Sequence, residues 1–155
     1  MYGSFGLLGI PAATPAVQPT PQKRSPAGPK QIRYRIMFKE ALQGVVEGTD
    51  GGVAGLLMDF EGIPLESFSR EESVFDIEAV GAEVSVVVKA IQRATEMLEA
   101  GDTKEVAFKS AKMITLIRVI NENYFIALTL SPEGNLGKGR FMLRVAAPRL
   151  AEELG

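Results

Sequence analysis

Gly52-Val53-Ala54-Gly55-Leu56-Leu57-Met58-Asp59-Phe60-Glu61-Gly62-Ile63-Pro64-Leu65-Glu66-Ser67-Phe68 is the stretch whose reading decides the fold. Residues 53–60 are a short apolar run bounded by turn formers, which suits a buried strand. Asp59-Phe60-Glu61-Gly62 then reverses the chain. Residues 63–68 make a second strand. Pro64, with no N–H to give a ladder, assigns it to a sheet edge or a strand start. The two strands form a hairpin.

Upstream of it, Phe38, Ala41, Leu42 and Val45 recur at helical spacing and predict a helix over 33–46, ended by Gly48-Thr49-Asp50-Gly51-Gly52. Downstream, a polar stretch at 69–73 leads into the longest helix, predicted over 76–100 and stopped by Gly101-Asp102. Ile77, Val80, Val84, Val87, Ile91 and Leu98 form its expected core stripe. A second stripe, Ala79, Ala82, Val86 and Ala90, is made of small residues that let another helix approach closely. Its plainer explanation is that alanine fills helix positions well.

Three strands are expected next, at 105–110, 113–120 and 124–130. The first alternates, with Val106 and Phe108 between Glu105, Ala107 and Lys109, as an edge strand does; the other two are apolar on both faces, as central strands are. Asn121-Glu122-Asn123 supplies the turn between them. A final helix is predicted over 140–154, with a kink or delayed start at Pro148. The order α-β-β-α-β-β-β-α predicts an α+β fold, a five-stranded antiparallel sheet with helices on its faces.

The chain of 155 residues fills its length unevenly. Residues 1–30 hold six of the nine prolines and no acid, and read as a disordered Pro/Ala-rich tail ahead of one domain at 31–155. Within the tail, Tyr2, Phe5, Leu7, Leu8 and Ile10 are unusually apolar. They read either as a plain disordered end or as a short docking peptide on an extended linker. The domain carries 14 bases against 19 acids, a formal charge of −5, which argues against a nucleic-acid partner. No run of about 18 apolar residues is present, so no membrane insertion is expected. The chain is expected to be cytoplasmic.

Cysteine and histidine are absent, which removes thiolate nucleophiles, imidazole bases and the usual zinc ligands together. No catalytic residue, metal site or cofactor site is expected. Gly134-Asn135-Leu136-Gly137-Lys138-Gly139 invites a phosphate-loop reading, but has two residues where a P-loop has four, and Arg140 where it has Ser or Thr. It reads instead as the turn that launches the last helix. Asp59, Glu61 and Glu66 cluster around the hairpin with no nucleophile or base beside them and read as a solvated turn. Arg118, inside an apolar strand, reads either as a paired arginine at an interface or as the mark of the strand's exposed end.

Four stretches together resemble the roadblock family, whose members include dynein light chains, Ragulator-type scaffolds and the bacterial Mgl polarity proteins. They are the hairpin from Gly52 to Leu65 with its Asp59-to-Gly62 turn, the helix at 84–97, the strand at 124–130, and Asn135-Leu136-Gly137-Lys138-Gly139-Arg140-Phe141. The resemblance spans about residues 33–154. It implies dimers, with the chain itself or a roadblock paralogue, in which the third strand and the long helix meet their counterparts. It also implies regulation of a Ras-like GTPase or scaffolding of its regulator, and for the Mgl group a role in cell polarity and motility.

The dimer interface is therefore expected at Ala79, Ala82, Val86, Ala90, Val106 and Phe108. Arg70 and Arg93 are possible partner contacts, because a guanidinium can stabilise phosphoryl-transfer charge directly. The expectation is a non-catalytic dimeric adaptor or regulator. The alternative is a small-molecule sensor of profilin- or PAS-like architecture, which needs a cavity with converging polar groups.

Overall fold

A computed structural model describes residues 28–70 and 76–155. Most of the expected tail (1–27), and with it the docking-peptide reading, lies outside the described residues, as do residues 71–75 of the loop before the long helix. Eight elements follow in order: α1 (Pro29–Glu47), β1 (Gly52–Asp59), β2 (Pro64–Ser69), α2 (Ile77–Met97), β3 (Glu105–Lys109), β4 (Ile114–Val119), β5 (Tyr124–Leu130) and α3 (Leu136–Leu154). The strands form one antiparallel sheet in the order β2-β1-β5-β4-β3. Pairing of β1 with β5 closes the centre, and the three strands with the most apolar sequences occupy it.

The hairpin turn is set by Asp59, whose Oδ1 accepts from the backbone N–H of Glu61 (3.0 Å) and Ile63 (2.9 Å). Gly62 adopts φ +90°, a conformation that side-chain-bearing residues avoid. Pro64 is the first residue of β2 and β2 is an edge, so both uses of the proline hold. The β4–β5 turn works as the first does: Asn121 Oδ1 accepts from Asn123 N and Tyr124 N.

Two helix starts lie earlier than the sequence pattern places them. α1 begins at Pro29, not 33, because proline at the first helical position loses no hydrogen bond and the Gln31 side chain accepts from Gly28 N. α3 begins at Leu136, not 140, because the Asn135 side chain caps it by accepting from Lys138 N at 3.0 Å. Pro148 neither delays nor ends α3. It is exposed, as is Arg144 one turn before it, so the carbonyl that loses its donor can turn to water.

The sheet is covered on both faces. α1 and α3 bury one face over Leu57, Leu116, Ile126, Leu128 and Leu130, to which they contribute Phe38, Leu42, Leu143 and Leu150. α2 covers the other over Ala54, Leu56, Met58, Ile117 and Phe125, contributing Ile77, Val84 and Val88. Gly81 lets the α2 backbone lie on β1, since a Cβ there would run into Leu56 and Met58.

The expected core stripe of α2 needs correction. Ile77 and Val84 are buried and Val80 and Ile91 half-buried, but Val87 and Leu98 are exposed, and Val88 is buried in their stead. The expected stripe stepped by about 3.5 residues, whereas a straight helix turns in 3.6 and drifts by about 20° per heptad. The observed core side, 77-81-84-88, follows that drift.

Candidate functional site

The two edges of the sheet differ. β2 is held on both sides, by Arg35 of α1 beside Glu66 (3.9 Å) and by Ser67 Oγ donating to Glu78 Oε1 of α2 (3.2 Å). β3 has neither. It pairs with β4 alone, and of its five side chains Val106 is half-buried and the rest are exposed. Its outer row of backbone groups is unpaired among the described residues, the condition that invites a further strand.

Val106 and Phe108 stand opposite Ile117 and Thr115 of β4, which puts them on the side of the sheet that α2 covers. Phe108 is 39% exposed. On α2, Ala79, Ala82, Val86 and Ala90 all face away from the core, and Val86 is 59% exposed. The six residues expected at an interface thus share one side of the sheet, four on the outer face of α2 and two on the free edge. Val87, Met97 (86% exposed) and Leu98 (76% exposed) extend that apolar surface and were not in the expected set. The 3.6-residue drift gives the signal for Val87. Met97 falls eighteen residues after Ala79 and seven after Ala90, so helical spacing puts it on the same outward side.

α2 itself is well anchored. Asp76 caps it by accepting from Glu78 N (3.0 Å) and Ala79 N (3.4 Å), and Ser85 Oγ donates to Ala82 O at 2.7 Å. Its outward apolar surface is therefore presented from a fixed helix.

The two candidate partner arginines have different settings. Arg70 Nε donates to Gly52 O at 2.7 Å and Nη2 to Val46 O at 3.4 Å, so its guanidinium ties the end of α1 to the start of β1. It also lines a polar pocket of about 460 Å³ with Glu47, Asp50 and Ser131. Arg93 is exposed on α2 and makes no ion pair or hydrogen bond among the described residues. The structure does not bring the two together. Arg118 is the penultimate residue of β4, half-buried, with Glu105 opposite it in register; Glu105 itself pairs with Arg140 at 2.9 Å.

The glycine-rich segment at 134–139 is a helix-launching turn: Asn135 caps α3, and Gly139 is buried where a Cβ would stand 3.1 Å from Leu116 and 3.2 Å from Leu128. Asp59 is engaged with its own turn, as above. Among the described residues no group of three or more carboxylates is placed to hold a metal ion, and no helix is long and apolar enough to cross a membrane.

No family model and no curated protein matches the chain. Solved structures do. MglC from Myxococcus xanthus is 35% identical over 75% of this chain and 98% of its own, with a TM-score of 0.56. The gliding protein MglB from Thermus thermophilus is 20% identical over 81% of this chain and 91% of its own, with a TM-score of 0.69. A roadblock/LC7 domain from Streptomyces avermitilis is 11% identical over 75% of this chain and 96% of its own, with a TM-score of 0.68. At their identities the last two show the fold; the first, matched over nearly its whole length, carries kinship. The chain belongs to the roadblock family, in its Mgl-type group.

Proposed function

We propose that the protein is a non-catalytic dimeric adaptor or regulator of a Ras-like small GTPase, acting in bacterial cell polarity or motility, with no cofactor of its own. The observation that carries the reading is the pairing of an open edge strand with an outward apolar helix face on the same side of one sheet. A two-fold partner, the chain itself or a roadblock paralogue, satisfies both at once. The edge strands continue the ladder and the small residues of α2 admit a second α2. Membership in the Mgl-type group and the likeness to a gliding protein support the GTPase and motility part. The absence of cysteine and histidine supports action by docking and reshaping rather than by chemistry.

The test is sedimentation of the full chain with and without candidate roadblock paralogues, followed by capture of Ras-like GTPases and measurement of their GTP turnover. The reading expects a dimer at tens of micromolar, binding of a GTPase or its regulator, and little loss of effect for Arg93→Ala. A monomer that pairs with no paralogue overturns the dimer. A fall in turnover of about three decades for Arg93→Ala with binding intact shows a true arginine finger and overturns the docking mechanism.

A further inference from the structure

On the side of the sheet away from α2, the two covering helices leave a groove between them. Met37, Ala41 and Gly44 of α1 face Met142, Val145 and Ala146 of α3 around a space of about 250 Å³. The small residues open it, and Val145, at its lip, is 54% exposed. Glu40 and Arg149 line it with opposite charges, so the groove is apolar and close to neutral.

We propose that this groove is the docking site of the chain's own first ten residues. Residues 2–10 carry no charged side chain and supply Tyr2, Phe5, Leu7, Leu8 and Ile10, apolar groups suited to an apolar, charge-balanced cleft. The length of chain between them fits as well. Residues 11–27 precede Gly28, which caps α1. The groove begins at Met37, about 12 Å along α1 from Pro29, and ends at Val45, about 24 Å along, at about 1.5 Å per residue. A flexible linker of that many residues has a root-mean-square span of about 21–25 Å, and a fully extended proline-rich one about 53 Å. Either span covers that distance, so the linker is long enough to deliver residues 2–10 to the groove as a tethered ligand.

A second copy of the same face is the poorer occupant. α1 and α3 together carry eight basic and four acidic side chains; with Arg35 and Arg140 paired to acids of the sheet, the remaining excess of positive charge disfavours bringing two such faces together. The proposal concerns the face opposite the dimer surface and stands or falls independently of it.

The chain contains no tryptophan, so Phe5→Trp introduces a single fluorescent reporter into the full-length protein. Docking predicts a blue-shifted emission and several-fold slower quenching by acrylamide than in a synthetic peptide of residues 1–10 carrying the same tryptophan. Both effects should be lost with Gly44→Gln, which fills the groove from a position where a Cβ meets nothing within 4 Å. Val145→Asp, at an exposed site, should do the same, and circular dichroism should show both variants folded. The shift should persist on dilution and in a Val86→Glu background. Emission and quenching like those of the free peptide overturn the proposal. So does a blue shift that survives both groove substitutions, or one that disappears on dilution.

Discussion

The two faces of the sheet are covered by unequal means. Five strands about 4.8 Å apart span about 19 Å, and a helix with its side chains is about 10 Å across. α1 and α3, side by side, match that width, and beneath them Leu57, Leu116, Leu128 and Leu130 lose all contact with solvent. α2 has the other face to itself and lies mainly over β1 and β2. Apolar residues are left showing on both layers; on α1 and α3 they are Ile32, Ile36, Phe141 and Val145. Beside the α2 face they include Phe108 on an open strand edge, together with Val86, Val87, Met97 and Leu98 on the helix. That side also holds two threonines opposite each other on β4 and β5, Thr115 and Thr129, whose Oγ1 atoms are buried without a hydrogen-bond partner among the described residues. One face is a finished core beneath its two helices; the other leaves the outer side of α2 and the β3 edge open to the partner proposed above.

The sharpest way to break this comparison is to damage the finished side. Leu57→Ala removes a fully buried side chain between β1 and the α1/α3 pair and should lower unfolding free energy by about 2–5 kcal/mol in denaturant titration. A loss below about 1 kcal/mol would mean that the layer is looser than its burial implies. Val86→Glu addresses the open side. It should weaken self-association by about 2 kcal/mol or more, roughly thirtyfold, in sedimentation. A dimer of unchanged affinity excludes α2 from the interface. Isolated-subunit stability should move by no more than about 0.5 kcal/mol, since Val86 is largely exposed.

A smaller effect is expected at Arg70. Arg70→Ala frees the carbonyls of Gly52 and Val46, but the residue is exposed and water can replace much of what is lost, so the penalty should be about 1 kcal/mol. Arg70→Lys should recover little, because an ammonium cannot copy the guanidinium fork. If Arg70→Ala unfolds like wild type while partner binding collapses, the side chain belongs to the partner site and not to the fold. The smallest effect is expected at Thr129. An unpartnered hydroxyl gains nothing from burial, so Thr129→Val should be neutral or stabilising by up to about 1 kcal/mol. Destabilisation by more than that would reveal a hydrogen-bond partner in the assembled protein.

Sequence by itself determined what is local. Asp59 and Gly62 set one turn and Asn121 another. The apolar runs of β1, β4 and β5 marked the strands that lie centrally, and Pro64 with the alternation of Val106 and Phe108 marked the two edges. These features follow from backbone sterics and from a repeat of two, which are legible without neighbours. The outward face of α2 was legible too, because four small residues at helical spacing share a side wherever the helix is placed.

Only the tertiary structure decided how closely α2 lies on β1, since Leu56 and Met58 fill the space where a Cβ on Gly81 would stand. It also decided that Arg70, met in sequence as a possible partner contact, closes the end of α1, because Val46 and Gly52 reach it only through the fold. The groove between α1 and α3 belongs to the same class: Gly44 and Ala146 are 102 positions apart in number, and only their helices' packing makes them one surface. Periodicity reports which way a side chain points from its own element. What it then meets is set by contacts between residues distant in the chain, and those exist only once the layers have packed.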